Sequence, residues 1–462
     1  MRAVLVTGGA SGIGWATALR FAAAGDRVVI ADIDGAAAQA RAASLGPQHA
    51  AIAADVADPA TAAAVIGFTV GHCARIDVLV NNAGIIDSGG TPITEQPLEA
   101  LRRLFGVNLI GMERLARAAR DAMATQALLS EDGPRGVIVN MASGAAQRAI
   151  PLRNGYSASK AGVLAMTRVQ GVTWAADGIR VNALAPGYIR TDLVDELIRR
   201  GRVDPALTES RIPLGRMGSP EEMAEAIHFL AGPAARGMVG SLLIADGAGA
   251  AYGASDPAPV QRGAAPRPAP GGTPVVVVAG PDTTMGAACL RALAANGIIA
   301  VAVAMPSAIA EAATRHGRLD GLINAAGTDG LDGQDASIGD QIARHLEPQF
   351  LAAQVAGRIM LAQGFGAVLN LTGAGALAAG PSPAAGAAAA GAVAMFARSM
   401  ACEWGGSGVR VNALAVGAGI DPGGAAAFLI SPAAGYISGS IVAMDGGRSS
   451  LATPTPETPA WP

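Results

Sequence analysis

The chain has 462 residues, enough for two domains that each bury a core of their own. It is 51% hydrophobic but only 3% aromatic, and a formal net charge of −3 excludes an electrostatic grip on nucleic acid or on an anionic membrane. Cys73, Cys289 and Cys402 lie far apart, with neither metal-ligand spacing nor an even disulfide framework, so reduced thiols and no metal are expected.

The first residues, "MRAVLVTGG", read as a strand, so no cleavable leader is expected. Pro, Gly or charge interrupts every alanine stretch before it could span a membrane, so a soluble cytoplasmic protein is expected. Short β-branched runs then alternate with alanine-rich helical stretches: "AVLVTG", "GWATALRFAAAG", "RVVIAD", and later "HAAIAADV", "IDVLVNNAG", "GVIVNMAS", "IRVNALAP" and "SLLIADG". Strand and helix in alternation predict an α/β protein with a parallel sheet covered on both faces. Near residue 252 the pattern gives way to "YGASDPAPVQRGAAPRPAPGGTP", a Pro/Gly/Ala-rich linker over 251–273.

After the linker the series restarts. "PVVVVAG" opens it, "GLINAAG" echoes "VLVNNAG", "GAVLNLTG" echoes "GVIVNMAS", and "VRVNALAVG" echoes "IRVNALAPG". Residues 384–398, "AAGAAAAGAVAMFAR", align without a gap on 154–168, "NGYSASKAGVLAMTR". This is duplication at domain scale, giving domains at 1–250 and 274–449 and a loose proline-rich tail at 450–462. The second copy is shortened: Gly25 to Gly84 spans 59 positions, Gly297 to Gly327 only 30, which removes about one strand–helix unit. Most of the stretch that follows Gly187 in the first copy is also missing after Gly417.

The chemistry lies in the first copy. "TGGASGIG" (7–14) follows a strand and opens a helix, so Gly8, Gly12 and Gly14, with Ser11 and Ile13 between them, can bring backbone amides to a pyrophosphate at the helix N-terminus. The next strand ends "VVIADID". Asp32, with Ile33 beside it, is placed to bind the adenosine ribose hydroxyls and to repel a 2′-phosphate; Asp34 is the alternative. No Arg or Lys lies in the glycine loop, so NAD is favoured over NADP. Asp55, followed by Val56, ends a third strand and can meet the adenine. "YSASK" sets Tyr156 and Lys160 on one helix face. A phenol titrates near pH 10, and a neighbouring ammonium favours its anion, so the pair makes a general acid/base. Ser143 ends "VIVNMAS" and can hold a substrate oxygen.

On these motifs the first copy resembles the short-chain dehydrogenase/reductase family over essentially all of 1–250. The resemblance implies two tandem Rossmann-like, doubly wound domains, the second degenerate. It implies Tyr156 as acid/base, Lys160 as its modulator and ribose ligand, Ser143 as carbonyl orienter, and Asn108 in "LFGVNLIG" as the holder of a helix kink and a proton-relay water. "NNAG" (81–84), with Asn82, Ala83 and Gly84, would line the cofactor. "PGYIRT" (186–191) would bring Pro186, Gly187, Ile189 and Thr191 to the nicotinamide, and 192–216 would be the substrate lid.

In the second copy Gly373, Gly386 and Ala390 stand where Ser143, Tyr156 and Lys160 stood, Thr284 replaces the middle glycine, and His345 falls near the asparagine position. A non-catalytic domain is expected there, acting as a built-in pseudo-dimer partner through the long helices 98–125 and 157–176 of one copy and 338–361 and 385–403 of the other. A homodimer of chains would then be a pseudo-tetramer. The expected activity is NAD-dependent hydride transfer between nicotinamide and a secondary alcohol or ketone. The alternatives are a 3-oxoacyl-thioester reductase or 3-hydroxyacyl dehydrogenase and, in another class, a non-catalytic NAD sensor or scaffold. Arg190, Arg199, Arg200, Arg202 and Arg211 in the lid would suit an acidic substrate or form a solvated face.

Overall fold

The computed structural model describes residues 1–86, 97–130, 133–147, 153–201, 203–253, 264–329, 338–374, 377, 384–447 and 449. The first half runs β1 (Ala3–Thr7), α1 (Gly12–Ala23), β2 (Arg27–Asp32), α2 (Gly35–Leu45), β3 (Ala50–Ala53), α3 (Thr61–Cys73), β4 (Val78–Asn81), α4 (Leu98–Phe105), α5 (Met112–Ala124), β5 (Gly136–Met141), α6 (Asn154–Trp174) and β6 (Ile179–Pro186). It closes with α7 (Asp192–Arg199), α8 (Pro205–Ser210), α9 (Pro220–Ala231), β7 (Leu242–Ala245) and α10 (Gly249–Tyr252). Its seven parallel strands lie in the order β3-β2-β1-β4-β5-β6-β7. Helices cover both faces, which is why Val4–Val6 and Val28–Ile30 are unbroken apolar runs with no exposure.

The second half repeats the plan with β8 (Val275–Ala279), α11 (Thr284–Ala295), β9 (Ile299–Val303), α12 (Ser307–His316), β10 (Gly321–Asn324), α13 (Ile338–Gln363), β11 (Gly366–Gly373), α14 (Ala384–Trp404), β12 (Val409–Val416), α15 (Gly423–Ile430) and β13 (Ile441–Met444). Its six strands lie in the order β9-β8-β10-β11-β12-β13, so the missing unit is the counterpart of α2 and β3. Buried asparagines mark the correspondence. Asn81 Nδ2 donates to Asn140 Oδ1 at 2.9 Å, and Asn324 Nδ2 donates to Asn370 Oδ1 at 2.9 Å. The second part of the linker is docked: Ala264 N donates to Leu361 O and Arg267 N to Gly364 O, beside the end of α13. The tail 450–462 lies outside the described residues.

One apolar core runs through both halves, taking Leu230, Met238 and Leu243 from the first and Leu429, Ile437 and Met444 from the second. Against this core Phe229 of α9 stacks on the half-buried Phe428 of α15, with ring centroids 4.0 Å apart and planes 5° from parallel. The sheet edges β7 and β13 face each other, where Ser241 Oγ donates to Ala443 O at 3.1 Å. The expected pairing of the long helices across the halves is therefore corrected. Helix α13 packs on α14 and α4 on α6, each within its own half, and among the described residues α14 reaches across, to α10. The physical reason is that β7 and β13 end their sheets. Covering those edges and the apolar faces of α9 and α15 removes more unpaired backbone and apolar surface than pairing helices that already cover one another.

Candidate active site

Strand β1 turns into α1 at Gly8 and Gly12, whose φ angles of +62° and +52° suit glycine. A side chain at Gly14 would put its Cβ 2.0 Å from Gly8 O, so α1 can sit this close to the turn only without one. The strand-end motif clamps the turn from the side: Asn82 Nδ2 donates to Thr7 O and Gly8 O at 3.0 Å each, and Ala83 N donates to Thr7 Oγ1 at 3.1 Å. Ser11 begins α1 without a side-chain capping bond, and its first turn holds no acid. Amides that most helices cap internally thus face outward, in a field that favours an anion.

The end of β2 closes one side of this cradle. Asp32 Oδ2 accepts from Ala10 N and Oδ1 from Asp34 N, both at 3.0 Å, while Ile33 beside it is 74% exposed. Asp34 is occupied in capping α2, accepting from Ala37 N at 2.9 Å. Asp55 is exposed after β3 and turns back on Ala57 N at 2.9 Å, with Val56 half-buried next to it. Sequence reasoning missed Arg41. From α2 its Nε donates to Ala10 O at 3.2 Å, and its guanidinium lies 4.5 Å over the Trp15 ring. No spacing rule flags it, because it reaches the loop only through the fold.

The other side is built by β4, β5 and α6. Lys160 is buried, and its Nζ donates to Met141 O at 2.8 Å and lies 5.8 Å from the centre of the Tyr156 ring. Burial pulls its pKa down to about 8. Between α4 and α5 the helix loosens into a π-turn over Gly106–Gly111. There Asn108 accepts from Ile85 N at 2.8 Å, donates to Ile85 O at 2.9 Å, and donates to Ser159 Oγ at 3.2 Å. Ser159, also missed in the sequence, ties this asparagine to the Tyr156 carbonyl at 2.8 Å. A Cβ on Gly84 would lie 3.4 Å from Asn108 Oδ1 and 3.6 Å from Lys160 Nζ, so these groups converge. Ser143 opens the short turn after β5, its Oγ accepting from Ala145 N at 3.2 Å.

Pro186 ends β6 opposite Ala245, Gly187 passes tight against Asp246, and Ile189 is buried and bridges to Gly218. Thr191 caps α7 and turns its methyl toward Gly12, so the post-β6 loop and the glycine turn meet. Arg190 pairs with Asp195 at 2.9 Å, and Arg199 and Arg200 both pair with Glu196. Those three arginines form a self-paired face; Arg202 lies outside the described residues.

The equivalent cradle in the second half is filled from within. Thr283 Oγ1 accepts from Gly286 N at 3.0 Å, and the Asp329 carboxylate accepts from Thr284 N at 3.2 Å, where α11 begins. Strand register puts Ala304 at the position of Asp32. Gln349 Nε2 donates to Leu371 O at 3.0 Å, the carbonyl equivalent to the one Lys160 holds, and His345 is buried against Gln341.

A family profile described as enoyl-(acyl carrier protein) reductase matches residues 8–249 and 299–422. The chain belongs to the short-chain dehydrogenase/reductase family. It is similar to cis-4-hydroxycyclohexanecarboxylate dehydrogenase of Sinomonas cyclohexanicum, 42% identical over 250 residues, which cover 53% of this chain and 95% of that one. An uncharacterised short-chain type dehydrogenase/reductase, y4vI of Sinorhizobium fredii, is 36% identical over 303 residues, covering 64% of this chain and 53% of that longer one. Among solved structures, that of gox2181 is 32% identical and covers 54% of this chain and 95% of its own, with a TM-score of 0.50. Among the described residues no helix is long and apolar enough to cross a membrane.

Proposed function

We propose that the chain is an NAD-dependent dehydrogenase or ketoreductase for secondary alcohols and ketones, with its chemistry confined to the first half. The observation that carries this reading is Lys160, a buried ammonium beside the Tyr156 ring, with no carboxylate paired to it among the described residues. A fold gains nothing from such a charge, whereas an adjacent phenol gains a field that favours its anion.

The cradle suits a dinucleotide because glycine at 8 and 14 lets the turn, the β4 end and the start of α1 pack this closely, and the α1 amides are left open. Gly8, Ser11, Gly12, Ile13 and Gly14 would hold the pyrophosphate. Asp32 and Ile33 would hold the adenosine, with Asp55 and Val56 at the adenine. Asn82, Ala83, Gly84, Pro186, Gly187, Ile189 and Thr191 would hold the nicotinamide end. When bound, the nicotinamide gives or takes the hydride. Ser143 Oγ orients the substrate oxygen, Tyr156 exchanges its proton, Lys160 holds the phenol's pKa down, and Asn108 with Ser159 fixes the route by which that proton reaches solvent. The Asp32 carboxylate favours NAD; NADP is the lesser candidate, with Arg41 a cation that reaches the glycine loop.

Relatives named for cyclic alcohols and polyols, among them the D-threitol dehydrogenase of Mycolicibacterium smegmatis, make such alcohols the first panel to try. The 3-oxoacyl thioesters are the second. The self-capped α11 leads us to assign the second half a partner role and no nucleotide of its own. The exposed Leu101, Ile110 and Val169 of the first half, and Phe350, Leu351 and Met395 of the second, would meet their equivalents in a second chain. Absorbance of the reduced nicotinamide over both panels, with calorimetry of NAD binding, tests the reading. Turnover with one NAD per chain is expected. Two per chain would refute the assignment of the second half, and binding with no turnover would favour a sensor.

A further inference from the structure

The halves meet through equivalent segments, and one equivalent pair differs. Gly247 N donates to Tyr436 O at 3.1 Å, and Gly446 N donates to Gly237 O at 3.0 Å, two copies of a single backbone contact. Asn182 Nδ2 donates to Met238 O as Asn412 Nδ2 donates to Ile437 O, so Gly237 and Tyr436 occupy the same position of the repeat. Gly237 has no side chain and faces Ile420, in the abbreviated segment after Gly417. Tyr436 carries a ring and faces the segment after β6 that only the first half has in full. Its ring is buried against Gly218 and Gly247, where a Cβ would come within 2.5 and 2.9 Å of it. Its hydroxyl shares its one proton between Tyr188 O at 3.3 Å and Arg216 O at 3.2 Å.

Those carbonyls sit where the chain leaves the cofactor cradle and where it returns. Gly218 N donates to Tyr188 O at 2.9 Å and Arg190 N donates to Gly218 O at 2.8 Å, zipping the two ends together. The Arg216 guanidinium lies 5.3 Å over the Tyr436 ring, and its Nη2 donates to Gly435 O at 3.4 Å. Burial holds the Tyr436 phenol above its usual range, so the hydroxyl stays a donor at every working pH.

We propose that Tyr436 of the second half is a positioning residue for the reaction of the first, tying together the two ends of the segment 188–218, which carries the 192–216 lid, and so setting Thr191 against the glycine turn. The proposal rests on the dehydrogenase reading. Tyr436→Phe keeps the ring and removes only the hydroxyl. In the full-length chain it should raise the KM for the alcohol about fivefold, the factor for one lost hydrogen bond, with a smaller change in kcat. Hydrogen exchange should quicken at amides 188–218 and not in β1. Phe428→Leu, at the same interface but away from the lid, should lower the melting temperature without splitting KM from kcat. If Phe428→Leu reproduces the Tyr436→Phe pattern, or if Tyr436→Phe leaves both KM and lid exchange at wild-type values, the proposal is overturned. If the wild-type chain turns over nothing, the dehydrogenase reading fails, and lid exchange alone decides whether Tyr436 braces the lid.

Discussion

Lys160→Met keeps an unbranched apolar stem and removes the charge from a buried site. Burial holds the ammonium at about 8 against an ordinary 10.5. At 1.36 kcal/mol per pH unit that gap weighs on the order of 3 kcal/mol against the folded state at pH 7. The lost bond from Nζ to Met141 O offsets about 1 kcal/mol, so the variant should be more stable by roughly 2 kcal/mol at pH 7. The sign follows from which state sheds its proton first. Below pH 8 the lysine is charged both folded and unfolded, and the penalty is full. Between pH 8 and 10.5 the folded state is neutral while the unfolded chain is still charged, so wild type gains stability as pH rises. Above 10.5 the penalty is gone. Urea melts of the cofactor-free protein at pH 7 and 9.5, followed by tryptophan fluorescence, read the difference, and turnover at pH 7 should fall by at least about a hundredfold. Equal or lower stability of the variant at pH 7, or a difference that does not shrink at pH 9.5, would refute the reasoning.

Tyr156→Phe should lower turnover by about a hundredfold or more and leave the NAD dissociation constant nearly unchanged; retained activity in the absorbance assay would mean the proton donor is elsewhere. Asp32→Ser should cost about tenfold in kcat/KM with NAD relative to NADP, since it removes charge-assisted bonds to the ribose, and an unchanged ratio would reassign the adenosine contact. A fragment ending at Gly253 bares Phe229, Met238 and Val239 and should aggregate or self-associate in light scattering; a stable, fully active monomer would show that the second half is dispensable.

The fold was legible because the alternation of strand and helix patterns carries it, and because the repeat shows itself in four strand segments. The glycine turn, Asp32 and the Tyr156–Lys160 pair were legible for a related reason: each needs a fixed local spacing, and spacing is what a sequence displays. Ser159 and Arg41 were not, since each acts through a contact set by the fold. The seam between the halves was misplaced. The apolar pattern of α13 and α14 marks a face to be buried without saying what buries it, and each turned out to cover the other. A signal for the true seam was present: aligning "AARGMVGS" with "AAGYISGS" sets Tyr436 against Gly237, a gain of bulk in a copy that elsewhere loses it.

The Phe229–Phe428 stack joins two parts of a single chain, so its occupancy does not depend on how much protein is present. Separate subunits held by such a patch come apart on dilution, following mass action. A tether replaces the bulk concentration by a local one on the order of millimolar, and docking of the linker at 264 and 267 shortens that tether further. The contacts of Tyr436 with Tyr188 and Arg216 therefore persist at the lowest expression level, and the specific activity per chain should stay flat across dilutions that would silence a dissociable pair.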